Sequence, residues 1–230
     1  VDATSTPLFT TPDAERLIGA PAASARRWLA GHEFSHEGQI RSRPPRLGPS
    51  ATFVDGVLLM SFLDLVEVQL ARTLRTRGVG WPKVIDTARF LREQWHAQHP
   101  FALSRLKTDG REIFAEYGRI SGDSRLLQLG KNQFAFEEIM RDSLFDVLDF
   151  REDGIPWRLW PRGRDAQIVV DPARAFGRPI LDTYGVPVSS LAAAYAANDN
   201  DISRVAKWFD IPVSAVEAAV RYDAGPRLAA

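Results

Sequence analysis

Four histidines, no cysteine and two clusters of arginines near the N-terminus are the residues of this chain from which chemistry could be built. Two of the histidines stand in His32-Glu33-Phe34-Ser35-His36, which matches the H-E-x-x-H spacing of zinc hydrolases. That motif works on a helix, where the i and i+4 imidazoles share a face and hold the ion while the glutamate acts as general base. Here Gly31 and Gly38 bracket it, no amphipathic run extends on either side, and no third ligand follows at short spacing. It reads as a chance match, and no metal is expected. None of His32, His36, His96 and His99 stands beside a convincing nucleophile, and the chain has no glycine-rich phosphate loop. Neither a catalytic residue nor a cofactor is therefore expected, and the chain does not read as an enzyme.

The arginines suggest another chemistry, the binding of phosphates. The whole chain carries 29 basic and 29 acidic residues, so any pull on nucleic acid has to come from a local patch. Arg26 and Arg27 follow Ser24, and Arg41, Arg43 and Arg46 surround Pro44-Pro45 in a stretch, Ala30–Thr52, rich in Gly, Pro, Ser and Arg. The segment Thr10–Leu29 that precedes them reads as two short helices. Thr11 is placed to cap the first, Pro12 suits its first position, and Asp13 and Glu15 complement the positive end of its dipole. Ala14, Leu17 and Ile18 form its apolar face, and Gly19 ends it. Pro21 restarts the chain, with Ala25, Trp28 and Leu29 turned inward. This is the layout of a helix-turn-helix. On that layout Ser24, Arg26 and Arg27 face DNA, and Arg41, Arg43 and Arg46 form either a wing that grips phosphates or a solvated surface loop.

The remaining elements follow from periodicity. Leu59, Phe62, Leu63, Val66, Leu70 and Leu74 predict a helix ending in Arg75–Gly80, and Pro82 opens another with Val84, Ala88, Leu91 and Trp95 inward. Phe101–Leu106 and Glu112–Tyr117 read as strands of a hairpin turning at Asp109-Gly110. Asn132 is expected to cap a helix whose inner side is Phe136, Ile139, Met140, Leu144 and Leu148. Trp157 and Trp160 follow, three residues apart, either as core or as a sticky surface. Ile168–Val170 forms a strand, and three short helices close the chain. Ser189 or Ser190 starts the first, Asp201 caps the second around Ile202, Val205, Ala206 and Phe209, and Pro212 precedes Val213–Tyr222. Asp199, Asp201, Asp210 and Glu217 make the last pair too acidic for a DNA reader.

The fold expected is mainly α with a small β component (α+β), in three parts: 1–96, 97–165 and 166–230. Hydrophobic content of 45% and charged content of 25% are globular values. With no long apolar run and no signal peptide, a soluble, cytoplasmic protein without a membrane contact is expected. The chain opens at Val1 rather than methionine, and a few native residues are expected before it.

Two resemblances sharpen this reading. Ser24-Ala25-Arg26-Arg27-Trp28 resembles the Ser/Thr-aliphatic-Arg-x-aromatic recognition helix of MerR-like winged helix-turn-helix domains, and the later helix pair fits through about residue 96. Thr52-Phe53 stand where that family has an arginine-tyrosine pair. The C-terminal pattern Asp171, Pro172, Gly177, Pro179, Gly185, Val188, Asp201, Ile202 and Val216 resembles the uncharacterised-domain family 433, found among bacterial antitoxins. Tyr184-Gly185-Val186 departs from it where an arginine is frequent. Together they resemble VapB-type antitoxins. The resemblance implies an antitoxin of a type II toxin–antitoxin pair that holds a PIN-like ribonuclease inactive and represses its own operon by binding operator DNA. Candidate residues against the toxin are Arg174, Arg178, Trp157 and Trp160. The alternative is a MerR-like regulator with a small-molecule pocket in the middle region. A homodimer is expected, because one helix-turn-helix covers few base pairs, with the Leu59–Leu74 helix or the C-terminal helices supplying the shared face.

Overall fold

The computed structural model of the protein describes residues 2–36, 39–140 and 146–225. The chain divides into two compact units, Val1–Trp157 and Arg158–Ala230.

In the first unit, strand β1 (Phe9–Thr10) leads into α1 (Thr11–Ile18) and α2 (Ala22–Ala30). The cap of α1 is Thr10, one residue earlier than expected. Its hydroxyl accepts from the Asp13 N–H, and the Asp13 carboxylate accepts from the Thr10 N–H at 2.8 Å, a reciprocal capping box. Gly19 ends α1 in the left-handed region at φ 63°. An antiparallel hairpin follows, β2 (His32–His36) with β3 (Gln39–Arg43), then β4 (Thr52–Val54) and β5 (Val57–Met60). A small antiparallel sheet has the order β1-β5-β4.

Helix α3 (Phe62–Thr76) runs through the core, buried on nearly every side over its first half. Leu59 is not part of it. It pairs with Thr10 and Thr52 in the sheet, and Ser61 caps the helix through a capping box with Asp64. Leu63, Val66, Leu70 and Leu74 are buried within the unit, so the face expected to serve a dimer is already covered. Helix α4 (Trp81–Trp95) packs Val84, Ala88 and Leu91 inward as its spacing predicts, while Trp95, expected on the same face, is only half-buried at the helix end.

The hairpin expected at Asp109-Gly110 does not exist. Arg105–Ser121 is one helix, α5, crossed by α6 (Ser124–Lys131) and followed by α7 (Gln133–Met140). Leu106, Gly110, Phe114 and Gly118 recur every fourth residue and are all buried. The glycines are there for proximity and not for turning. A Cβ on Gly118 would lie 2.3 Å from the Leu127 nitrogen, and one on Gly130 of α6 would lie 2.2 Å from the Ala115 nitrogen. Asp109 is a surface residue of the helix, bonded at 2.6 Å to Arg105 one turn earlier. Of the next expected helix, Phe136 and Met140 are buried in α7, Leu148 belongs to strand β6 (Leu148–Phe150), and Leu144 and the Ile139 side chain lie outside the described residues. Strand β7 (Pro156–Leu159) contains the boundary between the two units.

The second unit pairs β8 (Ile168–Val169) with β9 (Ile180–Leu181) and adds α8 (Val188–Ala197), α9 (Ile202–Phe209) and α10 (Val213–Asp223). Helix α8 begins at Val188 after Pro187, a residue earlier than the serines. Asp201 caps α9, its carboxylate accepting from the Arg204 N–H at 3.0 Å. Leu181, Leu191, Val205, Val216 and Ala219 form the core. Small antiparallel strands among many helices make the fold α+β. Among the described residues, no helix is long and apolar enough to cross a membrane.

Candidate functional site

Helix α2 is held by the burial of Ala25 and Leu29, which turns Arg26 and Arg27 to solvent and leaves Ser24 half-buried. Arg27 reaches the Ser24 hydroxyl at 3.5 Å, and the Arg26 guanidinium lies 5.4 Å above the Phe53 ring. Trp28 packs against Trp81 of α4 with ring centroids 4.8 Å apart.

The arginine stretch is a β-hairpin, a structure hidden by its polar composition. Opposed residues of an antiparallel pair share a face, and the register places His32 opposite Arg43 and Phe34 opposite Arg41. Arg41 and Arg43 thus stand on one side of the hairpin with an aromatic floor, Arg43 lying 4.6 Å from the Phe34 ring centre. The segment that leaves the hairpin is bonded back to α2. The Trp28 carbonyl accepts from the Arg46 and Leu47 N–H groups at 2.7 and 3.1 Å. Gly31 and Gly48 make this possible at φ 74° and 72°, since a Cβ on either would come within 2.3 Å of the Arg43 carbonyl oxygen or 2.2 Å of Leu29 Cδ2. Arg46 and Arg75 both lie over Trp81, at 5.3 and 5.6 Å.

These cations act on one another. Partial burial, then the charges of Arg43 and Arg75, lowers the Arg46 pKa, and burial with Arg43, Arg46 and Arg27 holds the His32 imidazole below its ordinary value. Such a concentration of positive potential attracts a polyanion. His32-Glu33-x-x-His36 lies on strand β2, where residues four apart are separated by roughly 13 Å, too far for one ion. The Phe34, Phe53, Trp81 and Arg75 contributions escaped the sequence reading. Alternation of Phe34 with His32 and His36 was the available signal for the strand.

Trp157, the last residue of the first unit, is half-buried, and Trp160 in the second unit is buried. Arg174 bonds Asp182 at 3.3 Å, and Arg158 bridges Asp171 and Asp182, each at 3.3 Å. This network braces the Asp171-Pro172 turn. Arg178 is exposed. Between them Ala175, Phe176 and Gly177 all adopt positive φ, 48°, 55° and 72°. This strained backbone presents a Phe176 ring that is 82% exposed. Sequence reasoning passed over it.

Residues 168–222 match the family described as "Protein of unknown function (DUF433)". The chain is 26% identical over 202 residues to the Mycobacterium tuberculosis (strain ATCC 25618 / H37Rv) protein named "Putative antitoxin VapB45", covering 80% of this chain and 81% of that one. The crystal structure of Rv2018 from Mycobacterium tuberculosis superposes with a TM-score of 0.72 at 23% identity, over 94% of this chain and 98% of that one. It shares the fold.

Proposed function

We propose that this chain is the antitoxin of a toxin–antitoxin pair, acting by binding rather than catalysis. The likeness to VapB45 over four-fifths of both chains supports the antitoxin role, and the match of residues 168–222 to a family that the sequence patterns had suggested agrees with it. The toxin is a PIN-like ribonuclease, whose acidic, metal-binding cleft the exposed Arg178 and Phe176 are suited to cover. In this reading α1 and α2 form the helix-turn-helix of a MerR-like winged domain, and the protein represses its own operon as a homodimer. Ser24, Arg26 and Arg27 read the major groove, while Arg41, Arg43 and Arg46 grip the adjacent phosphates.

The observation that carries the DNA half is the gathering of Arg27, Arg43 and Arg46 around His32, beside exposed Arg26 and Arg41, in a protein of zero formal net charge. The test is co-expression with the nuclease encoded beside it. Co-purification, suppression of RNA cleavage and retardation of the upstream duplex are expected. A nuclease that remains active at equimolar chain removes the antitoxin reading. A duplex that is not retarded at low salt removes the DNA half.

A further inference from the structure

Asp64, Glu67 and His99 converge in the core of the first unit, on residues that the DNA reading does not use. Asp64 and Glu67 are three apart on α3, which puts them on one face. His99 stands just before a short turn, Pro100–Ala102, that packs on the same helix. Both carboxylates are 0% exposed and the histidine 5%. The His99 Nδ1 atom lies 3.5 Å from Asp64 Oδ1 and 3.5 Å from Glu67 Oε2, and one ligand atom from each residue falls within 4.8 Å of the others.

What sets this cluster apart from a hydrogen-bonded knot is its unsatisfied centre. Glu67 Oε2 and His99 Nδ1, which face each other, make no hydrogen bond with any described residue. The outer atoms are held. Asp64 Oδ2 accepts from the Ser61 N–H and hydroxyl at 2.9 Å each, while the inward Asp64 Oδ1 has one long contact, from the Ser50 N–H at 3.4 Å. Glu67 Oε1 accepts from the Phe101 N–H at 3.4 Å, and His99 Nε2 meets the Ser50 hydroxyl at 3.0 Å. The nearest fixed cation is Arg92, 3.8 Å from Glu67 Oε2, against two buried carboxylates. Two of the three inner atoms are thus bare, Asp64 Oδ1 keeps only the long Ser50 contact, and the outer atoms are fixed by hydrogen bonds, as they are around a metal centre. Ligands at about 2.0–2.2 Å from a first-row ion lie roughly 3–3.5 Å apart, which the two spacings from His99 Nδ1 fit.

We propose that Asp64 Oδ1, Glu67 Oε2 and His99 Nδ1 bind one divalent ion of the zinc class, to which a mixed imidazole and carboxylate set is suited. The ion is structural. It joins α3 to the segment after α4, and through Ser50 it braces the chain returning from the hairpin.

The full chain, stripped with a chelator and dialysed, is titrated with zinc chloride by calorimetry, and its melting temperature is followed. One equivalent per chain is expected, with a higher melting temperature that the chelator reverses. S50A should weaken binding about 10- to 100-fold and E67Q at least as much, while H32Q/H36Q binds as the parent does. Cobalt(II) supplies a second readout on the unaltered chain, with visible absorption of a low-symmetry site that zinc displaces. The proposal fails if zinc leaves the melting temperature of the parent unmoved and cobalt gives no such spectrum. His99 then bridges the carboxylates without an ion. It fails equally if uptake survives E67Q or disappears in H32Q/H36Q.

Discussion

Replacing Arg41, Arg43 and Arg46 together by alanine is the sharpest test of the proposed DNA interface. Arg41 and Arg43 are exposed on one face of the hairpin, whereas Arg46 is half-buried over Trp81 and has more to do with anchoring. Between two and three phosphate contacts per chain are therefore at stake. Each contact contributes a slope of about −0.9 to log K against log salt, so the triple variant should flatten the slope by about 1.8 to 2.7 per chain. From 50 to 200 mM salt, about 0.6 of a decade, that amounts to about 1.1 to 1.6 fewer decades of affinity lost. Fluorescence anisotropy on a labelled duplex from upstream of its own operon measures both slopes. R41K/R43K/R46K keeps the charge and should keep most of the slope. Loss of the Arg46 contact with Trp81 costs about 0.5–1 kcal/mol of stability, so melting is followed alongside. Identical slopes in parent and alanine variant would refute the hairpin as a phosphate grip.

His32 gives a pH signature. Phosphates docked on Arg43, Arg46 and Arg27 would offset the charges that depress it, so DNA binding takes up part of a proton and affinity rises as pH falls; H32Q should abolish the trend in a binding titration. The free protein behaves oppositely, because the unfolded chain protonates His32 at its ordinary 6.5 and the folded one only below that, so its contribution to stability is lost as pH falls through this window. Gly118→Ala should destabilise by about 2–3 kcal/mol or more, since the new methyl meets Leu127 backbone, and Gly110→Ala should cost less, since it meets the movable Phe136 ring at 2.9 Å; equal melting temperatures would contradict the α5–α6 crossing. Phe176→Gly should raise stability by about 1 kcal/mol by relieving a left-handed aromatic residue, yet weaken nuclease binding about tenfold or more; calorimetry showing unchanged binding would free the partner surface from this loop.

The parts legible in the sequence were those where local signals agree. Gly19, Asp201 and the inward stripe of α4 combine punctuation with period, and each lies where its chemistry predicts. Asp109-Gly110 misled because a glycine beside an aspartate is a turn signal only when nothing packs on it. Here Gly110 and Gly118 extend the buried row of Leu106 and Phe114, a four-residue period visible once glycine is counted as an apolar contact residue. Leu59 extended the α3 pattern by accident, and only its partners Thr10 and Thr52, far away in sequence, assign it to a strand. At the candidate site the arginines were evident from composition, while Phe53 and Trp81 enter through contacts across many residues. Asp64 and Glu67 sat unnoticed in an apolar helix, and His99 was weighed only as a nucleophile's neighbour.

The two amides that close on the Trp28 carbonyl tie the exit of the hairpin to α2 and limit how far the two can move apart. A loose arm would order itself anew on every duplex and tolerate many shapes. A tied one has narrowed the distance between its two rows of guanidiniums before any DNA arrives, so more of the adjustment falls to the double helix. On the DNA-binding reading, sites would be sorted by groove width and bendability at base pairs the protein never touches, and a Gly31 or Gly48 variant would blur that sorting while leaving every arginine in place.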